Sequence, residues 1–391
     1  MKTLDDLQAR GRRVLVRADL NVPLRDGRPS DDTRIRAALP TIRELRAAGA
    51  AIVLASHLGR PKGRDASLSL APVAERLREL TGAPVTLAPG VVGVDVVEVA
   101  EKLGPGEILL LENLRYEPGE TANDPALARA LAELGDAYVN DAFGAAHRAH
   151  ASTEGVARLL PAYGGRLLVR EVQMLESILE QPQRPLVVVI GGAKVTDKIA
   201  VLERFMTLAD VILIGGAMCF PFLAGEGRAV GASMCEEEGL EPARRILESA
   251  GAEGRARLRL PEDLVIADRF AADAERRELD GVDVPDGWMG LDVGPRTAAA
   301  YAKEIAAAGT VFWNGPMGAF ELEPFSAGTR VVAEAVASSP ATTVVGGGDS
   351  AAALVAFGLA DRVTHLSTGG GATLELVEGR TLPGVRALQE N

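Results

Sequence analysis

Cysteine and aromatic side chains are scarce in this chain, which has two cysteines, Cys219 and Cys235, and 4% Phe, Trp and Tyr among 391 residues. Two thiols cannot build a disulfide framework, so nothing points to a secreted, bridge-stapled scaffold. Long apolar runs are also missing. Runs such as Leu186–Ile190 and Val211–Ile214 are strand-sized, far short of the ~20 residues of a spanning helix. The opening stretch carries Lys2, Asp5, Asp6, Arg10, Arg12 and Arg13 with no apolar segment behind a basic start. No signal peptide and no membrane partner are therefore expected, and the expected compartment is cytoplasmic. Positive charge is in deficit: the formal net charge of −12 disfavours a general nucleic-acid binder. Lysine is rare, with six residues against 36 arginines.

What remains is an ordinary globular balance of 47% apolar and 25% charged residues, on a chain long enough for two or three domains at ~150 residues each. The charge is uneven. Residues 1–184 hold 24 basic and 25 acidic side chains, whereas residues 185–391 hold 18 and 29. The nearly balanced first half has room for a local cationic site.

Strand and helix patterns alternate. In the first half, Arg13–Arg17, Ala51–Ala55, Ile108–Leu111 and Ala137–Asn140 read as strands, and Asp32–Ala48, Leu70–Leu80 and Asp124–Leu134 as helices. In the second half, strands are expected near Leu186–Ile190, Val211–Ile214, Leu264–Ala267, Val311–Trp313, Thr343–Val345 and Val363–His365. Apolar runs alternating with helices imply parallel sheets covered on both faces. A helical pattern over Arg166–Glu180 ends at two prolines, Pro182 and Pro185, which stop it and mark a connector. Open sheets of this kind hold ligands beyond the carboxyl ends of their strands, and two such domains facing each other would leave a cleft.

The second half reads as a polyphosphate site without a P-loop. Leu186–Ile190 runs into Gly191, Gly192, Lys194 and Lys198, with the two lysines four apart and so expected on one helix face. No G-x-x-x-x-G-K-[ST] occurs, and Gly225–Gly231 misses the dinucleotide fingerprint by one residue. Glycine runs follow two more strands, at Gly346–Gly348 before Asp349 and Ser350, and at Gly369–Gly371. Several N–H-rich turns on one sheet edge make a phosphate cradle. Asp349 is either a helix cap or a Mg²⁺ ligand. Asn314 offers an amide to phosphate oxygens, Glu321 an acceptor for ribose hydroxyls, and Gly215–Met218 a small, apolar floor for a planar base.

The first half reads as an arginine-lined anion pocket. Arg17–Pro23, Ser56–Pro61, Leu111–Arg115 and Asn140–His150 each leave the end of a strand, and Arg34 opens a helix. Arg or His recurs just after each strand, so on a parallel sheet these side chains converge. Converging guanidinium groups suit a small substrate bearing phosphate and carboxylate.

These residues resemble phosphoglycerate kinase over nearly the whole chain. The stretches VRADLNVP, SHLGRPKG, LLENLRYEPGE, VNDAFGAAHRAHAS, VVVIGGAKVTDKI, GWMGLDVGPRT, VFWNGPMGAFELEPF, VVGGGDSAAAL and HLSTGGGATLELVEGR keep the family's order. The resemblance implies two Rossmann-like α/β domains, each a mainly parallel sheet flanked by helices, joined by a hinge helix. Residues 1–170 would bind 3-phosphoglycerate or 1,3-bisphosphoglycerate, 171–185 would form the hinge helix and linker, 186–375 would bind ATP or ADP with Mg²⁺, and 376–391 would pack back on the first domain. By motif position it implies substrate binding by Asp19, Leu20, Asn21, Arg34, His57, Leu58, Gly59, Arg60, Arg115 and Arg148. It implies nucleotide binding by Lys194, Lys198, Gly215, Gly290, Asn314, Glu321, Gly347, Gly348, Asp349 and Ser350, with Asp349 on the metal. Arg34, Lys198, Gly370 and Gly371 would be the catalytic set, and the protein a monomer. Departures are mild: Ser350 and Thr373 keep a hydroxyl, and Cys219 follows the base-side loop.

The implied reaction is reversible phosphoryl transfer between an acyl phosphate and ADP. A carboxylate acceptor is already ionised at pH 7, so the task reduces to alignment and charge stabilisation. The rivals are a nucleotide-binding module without catalysis and a dinucleotide-dependent dehydrogenase. ADP formation dependent on both ATP and 3-phosphoglycerate separates the three.

Overall fold

Runs such as Val14-Leu15-Val16 and Ile52-Val53-Leu54 are apolar at every position instead of alternating, and each of these residues is at most 1% exposed. Only a strand covered on both faces tolerates that pattern. The computed structural model describes residues 1–391, which divide into two units, Met1–Gln173 with Thr381–Asn391, and Met174–Arg380. The first division falls inside the Arg166–Glu180 helix, within the expected connector 171–185, and the second at 380/381 lies beyond the expected 375/376. No helix is long and apolar enough to cross a membrane.

The first unit is built on six parallel strands: β1 (Arg13–Arg17), β2 (Ala51–Ala55), β3 (Val85–Leu87), β4 (Ile108–Leu110), β5 (Ala137–Asn140) and β6 (Ala162–Gly164). Their order is β3-β4-β2-β1-β5-β6. Arg17 pairs in register with Ala55 on one side and Asn140 on the other, so the carboxyl ends are level. The helices Thr33–Ala47, Ala71–Thr81, Val94–Glu101 and Pro125–Ala132 connect the strands. Asp124 caps the last of these, accepting from the Ala126 and Leu127 amides at 2.6 and 3.3 Å. The C-terminal helix Pro383–Gln389 belongs to this unit: the Gly384 amide donates to the Ala146 carbonyl at 2.9 Å, and Asn391 Nδ2 donates to the Ala157 carbonyl at 2.8 Å.

The second unit has a parallel sheet of β7 (Leu186–Ile190), β8 (Val211–Ile214), β9 (Arg257–Arg259), β13 (Thr310–Asn314), β14 (Thr342–Gly346) and β15 (His365–Leu366), in the order β9-β8-β7-β13-β14-β15. Ile190 is level with Ile214 and Asn314, and Asn314 with Gly346. β10 (Leu264–Ala267) differs from expectation. It pairs antiparallel with β11 (Arg276–Leu279) and β12 (Met289–Val293) in a separate three-stranded sheet. The segment between Ala267 and Arg276 is too short for the crossover that parallel pairing requires.

The Pro295–Ala306 helix begins behind Gly294, which has no side chain to cap it. Asp263 supplies the cap from a distance, accepting from the Arg296 amide at 2.9 Å and the Thr297 amide at 2.8 Å. A Cβ at Gly294 would land on that carboxylate. Asp263 is 4% exposed, so removing it leaves buried amides unpaired. Asp263→Ala is expected to lower unfolding free energy by ~2–3 kcal/mol. Urea denaturation checks this, and an unchanged midpoint would contradict it.

Candidate functional site

In the first unit, side chains of the loops leaving β1, β2, β4 and β5 meet one another. Asp19 accepts from Arg34 Nη1 at 3.1 and 3.0 Å through its two carboxylate oxygens. Asn21 Oδ1 accepts from the Gly59 amide at 2.8 Å, and the Gly59 carbonyl accepts from Arg115 Nη1 at 2.6 Å. Asn113, fully buried, ties these loops together. Its Oδ1 accepts from the Leu58 and Arg115 amides, each at 3.1 Å, and its Nδ2 donates to the Leu58 carbonyl at 2.7 Å. Leu20 and Leu58 turn their side chains into the core. The Leu20 amide is spent on Ser56 Oγ at 2.9 Å, so both leucines anchor loops.

The electrostatics are those of concentrated positive charge. Burial, then the charges of Arg17, Arg115 and Arg34, holds His57 well below the usual histidine range. Burial, then Arg17 and Arg60, likewise lowers the pKa of Arg115. A cluster that perturbs its own members in this way is relieved by an oxyanion. Arg60 is exposed, as is Arg148, whose side chain makes no hydrogen bond to the others. Sequence reasoning placed Arg17 and Asn113 on this edge only as members of the segments leaving strands, without a role, and gave none to Glu120 or Ser152. An arginine ending the fully apolar run Val14–Val16 was the available signal for Arg17.

In the second unit, glycines let the loops after β7, β8, β13 and β14 approach closely. The Gly191 amide donates to the Asn314 carbonyl, the Gly192 amide to the Pro316 carbonyl and the Gly216 amide to the Met317 carbonyl, all at 2.9 Å. Lys198 Nζ sits over this weave, 2.6 Å from the Gly191 carbonyl and 3.2 Å from that of Asn314. Burial pulls its pKa down to about 8, with Asp349 and Asp197 opposing. Asn314 Nδ2 donates to the Gly346 carbonyl at 3.0 Å, and Ser350 Oγ accepts from the Gly315 amide. Gly347 has φ +93°, and a Cβ there would lie 2.9 Å from Asn314 Nδ2.

The expectation that Lys194 and Lys198 share a helix face does not hold. A short 3-10 turn, Thr196–Lys198, comes first and the α-helix starts only at Ile199. Lys194 therefore lies in the loop, exposed, while Lys198 turns back onto the strand ends. Gly290 lies on β12, where its amide donates to Ser233 Oγ at 2.9 Å. It lines a small cavity with Gly216, Phe220, Leu264 and Met317. Gly370, at φ +50°, precedes the Gly371–Val377 helix. Gly348 and Asp349 open the Gly348–Ala356 helix and are exposed, as is Glu321.

Residues 4–380 match the family model described as phosphoglycerate kinase. Phosphoglycerate kinases of Roseiflexus sp. (strain RS-1) and Rubrobacter xylanophilus are each 54% identical to the chain, covering 100% of it and 99% and 98% of their own lengths. A solved phosphoglycerate kinase from Coxiella burnetii superposes with a TM-score of 0.89 at 42% identity, over 99% of this chain and 98% of that one. Another, from Pyrococcus horikoshii OT3, gives 0.87 at 34% identity, over 100% and 98%.

Two glycines separate conformational from steric cost. Gly315 has φ +95°, and a Cβ there would strike the Gly191 carbonyl and lie 2.6 Å from Lys198 Nζ. Gly358 has φ +70° with open space around it. Gly358→Ala is expected to cost ~1 kcal/mol, and Gly315→Ala at least ~2 kcal/mol more. Equal urea midpoints for the two variants would contradict the close approach.

Proposed function

The chain belongs to the phosphoglycerate kinase family, and from that premise we propose which of its residues carry each part of the reaction. The reaction itself is reversible phosphoryl transfer between 1,3-bisphosphoglycerate and ADP, giving 3-phosphoglycerate and ATP in glycolysis. The enzyme is a phosphotransferase with a carboxyl group as acceptor.

We assign 3-phosphoglycerate to the first unit's edge, held by Arg34, Arg60, Arg115 and Arg148 with Asp19, Asn21 and His57. The observation that supports this is the crowding of cations at the edge: Arg115 is held below the usual arginine range by burial first and then by Arg17 and Arg60, with Glu120 and Asp19 opposing. Guanidinium forks pair bidentately with both phosphate and carboxylate. We assign ADP or ATP to the second unit, with phosphates near Lys198, Asn314 and the Gly347–Ser350 and Gly369–Gly371 turns, ribose at Glu321, and the base by Gly215 and Gly290. Asp349 fits a metal that travels with the nucleotide. Its carboxylate is exposed at a helix start and is one of two acidic groups acting on Lys198. A Mg²⁺ held there would neutralise phosphate charge.

No proton need be removed from a carboxylate acceptor, so no general base is assigned. Lys198 and Arg34 hold the oxygens of the transferring group, and the glycine-turn amides add fixed dipoles. Transfer requires both ligands to meet, and we place the moving joint in residues 171–185. A monomer in the cytoplasm completes the reading.

A split in kinetics tests the assignments. Lys198→Ala is expected to lower kcat by ~100-fold or more. Arg60→Ala is expected to raise KM for 3-phosphoglycerate and leave nucleotide affinity unchanged. Near wild-type kcat in the first, or a nucleotide defect alone in the second, would overturn the placement.

Proton linkage gives an independent check. Lys198 falls from 10.5 to about 8 in the folded chain, so between those values the folded state binds fewer protons than the unfolded one. The cost of keeping this amine charged is full below pH ~8 and is relieved as pH rises. An anionic phosphate restores the charge, so nucleotide binding takes up a proton above that pH. Affinity for Mg-ADP is expected to fall as pH rises past ~8 and to stay flat in Lys198→Arg. Calorimetric titrations in buffers of different ionisation heat would detect the proton, and a wild-type affinity independent of pH would sink the linkage.

A further inference from the structure

One cation on the arginine-lined edge has no part in the assignments above. Arg17 closes β1 and is 1% exposed, so its guanidinium cannot meet a ligand arriving from solvent. Its hydrogen bonds are all internal. Nε donates to Ser152 Oγ at 2.8 Å, Nη1 donates to the Ala18 carbonyl, and Nη2 lies 3.1 Å from His57 Nδ1. Ser152 passes the link on: its hydroxyl donates to Glu120 Oε1 at 2.6 Å and its amide to Oε2 at 3.0 Å. The buried guanidinium is thus balanced at one remove by a carboxylate that is itself fully buried.

A guanidinium has five N–H donors and no acceptor. An imidazole nitrogen at hydrogen-bond distance from it must present its lone pair. His57 Nδ1 therefore carries no proton, and the ring proton sits on Nε2. We propose that Arg17 is a positioning residue that holds His57 as the Nε2–H tautomer, making this side chain a fixed, uncharged donor toward an oxyanion. The second half of that statement rests on the placement of 3-phosphoglycerate at this edge, whereas the tautomer does not.

An uncharged donor suits its surroundings. Arg34, Arg60 and Arg115 already supply charge, and a further cation would add repulsion without adding direction. The ring is also kept from a second proton. Burial acts first, then Arg17, Arg115, Arg34 and His150 around it. The nearby carboxylates are engaged elsewhere, Asp19 with Arg34 at 3.0 Å and Glu120 with Ser152 at 2.6 Å. Glu120 also stands 3.6 Å from His150 Nδ1. Recognition through His57 is thereby made independent of pH across the range where histidine ordinarily titrates.

Long-range ¹H–¹⁵N correlation on the full-length, ¹⁵N-labelled protein reads this directly, and four histidines keep the assignment simple. Spectra would be taken from about pH 5.5 to 8, with and without 3-phosphoglycerate. The expected result is a bare Nδ1 and a protonated Nε2 at every pH, with the ligand shifting Nε2. A proton on Nδ1, or titration near the ordinary histidine value, overturns the lock. A bare Nδ1 with no response to 3-phosphoglycerate leaves the lock standing and rejects the substrate placement. In Arg17→Met the ring is expected to sample both tautomers and titrate, while KM for 3-phosphoglycerate rises ~5–10-fold at nearly constant kcat. Arg17→Lys, which keeps a charged donor, should restore part of both readouts. Should Arg17→Met fail to fold, Ser152→Ala removes the Nε acceptor and the hydroxyl that donates to Glu120 while leaving Nη2 on His57, and is expected to shift the same signals more weakly. Wild-type tautomer and KM in the folded variants would overturn the proposal.

Discussion

Parallel pairing in register is the constraint from which the rest of this protein follows. Because Arg17 is level with Ala55 and Asn140, and Ile190 with Ile214 and Asn314, each sheet sends its loops out from one even edge. Side chains far apart in sequence then meet at hydrogen-bond distance, as Asn21 does with Gly59. A slip of one residue would turn each strand's set of side chains over and scatter them. The sheets resist that slip because both faces are buried, so every position of β7, and of β1 after Arg13, is held by packing. The chemistry of the edges is therefore only as well placed as the apolar strands beneath it.

On the proposed assignment, each edge solves the same problem, holding an anion, with different means. The first unit uses guanidinium groups on loops cross-braced by Asn113 and Glu120, groups that are buried and satisfied and so rigid. Such a site holds its charge at any pH near neutrality. The second unit relies on backbone amides and one partly desolvated amine, which requires the loops to pass within reach of one another. Glycine is needed at Gly315 and Gly347 because their backbones are left-handed and neighbouring groups occupy the space of a Cβ. Here the charge on the amine is tunable, since burial has already brought Lys198 to about 8.

The fold was legible where the sequence was most apolar. Arg13–Arg17, Ala51–Ala55, Ala137–Asn140, Leu186–Ile190 and Val211–Ile214 are strands with the bounds read from the sequence. The edge strands Val85–Leu87 and Arg257–Arg259 were not read, because three residues with polar side chains among them carry no usable period. β10 was recognised as a strand but expected within a parallel sheet, since antiparallel pairing depends on the length of the next connection, which the pattern did not weigh. At the candidate sites, the positions after strands could be read, whereas the direction of each side chain could not. Lys194 and Lys198 look equivalent at a spacing of four, yet a single 3-10 turn sends one into the loop and the other onto the strand ends.

Arg17 shows why residue type alone misleads at such an edge. In the sequence it is one more arginine after a strand, to be counted with Arg60 and Arg115 as a charge for the ligand. Burial removes it from that role, and its bonds give it another. A fork with donors on three nitrogens can hold Ser152, a carbonyl and an imidazole nitrogen at once, which the point charge of a lysine cannot do. The orientation of His57 is then set from behind the site by a residue that no ligand touches. The organisation of the edge extends inward in this way, from exposed Arg60 through half-buried Arg115 to a guanidinium and carboxylate wholly out of water. The inner groups give His57 a fixed direction, and direction separates a binding site from a patch of charge.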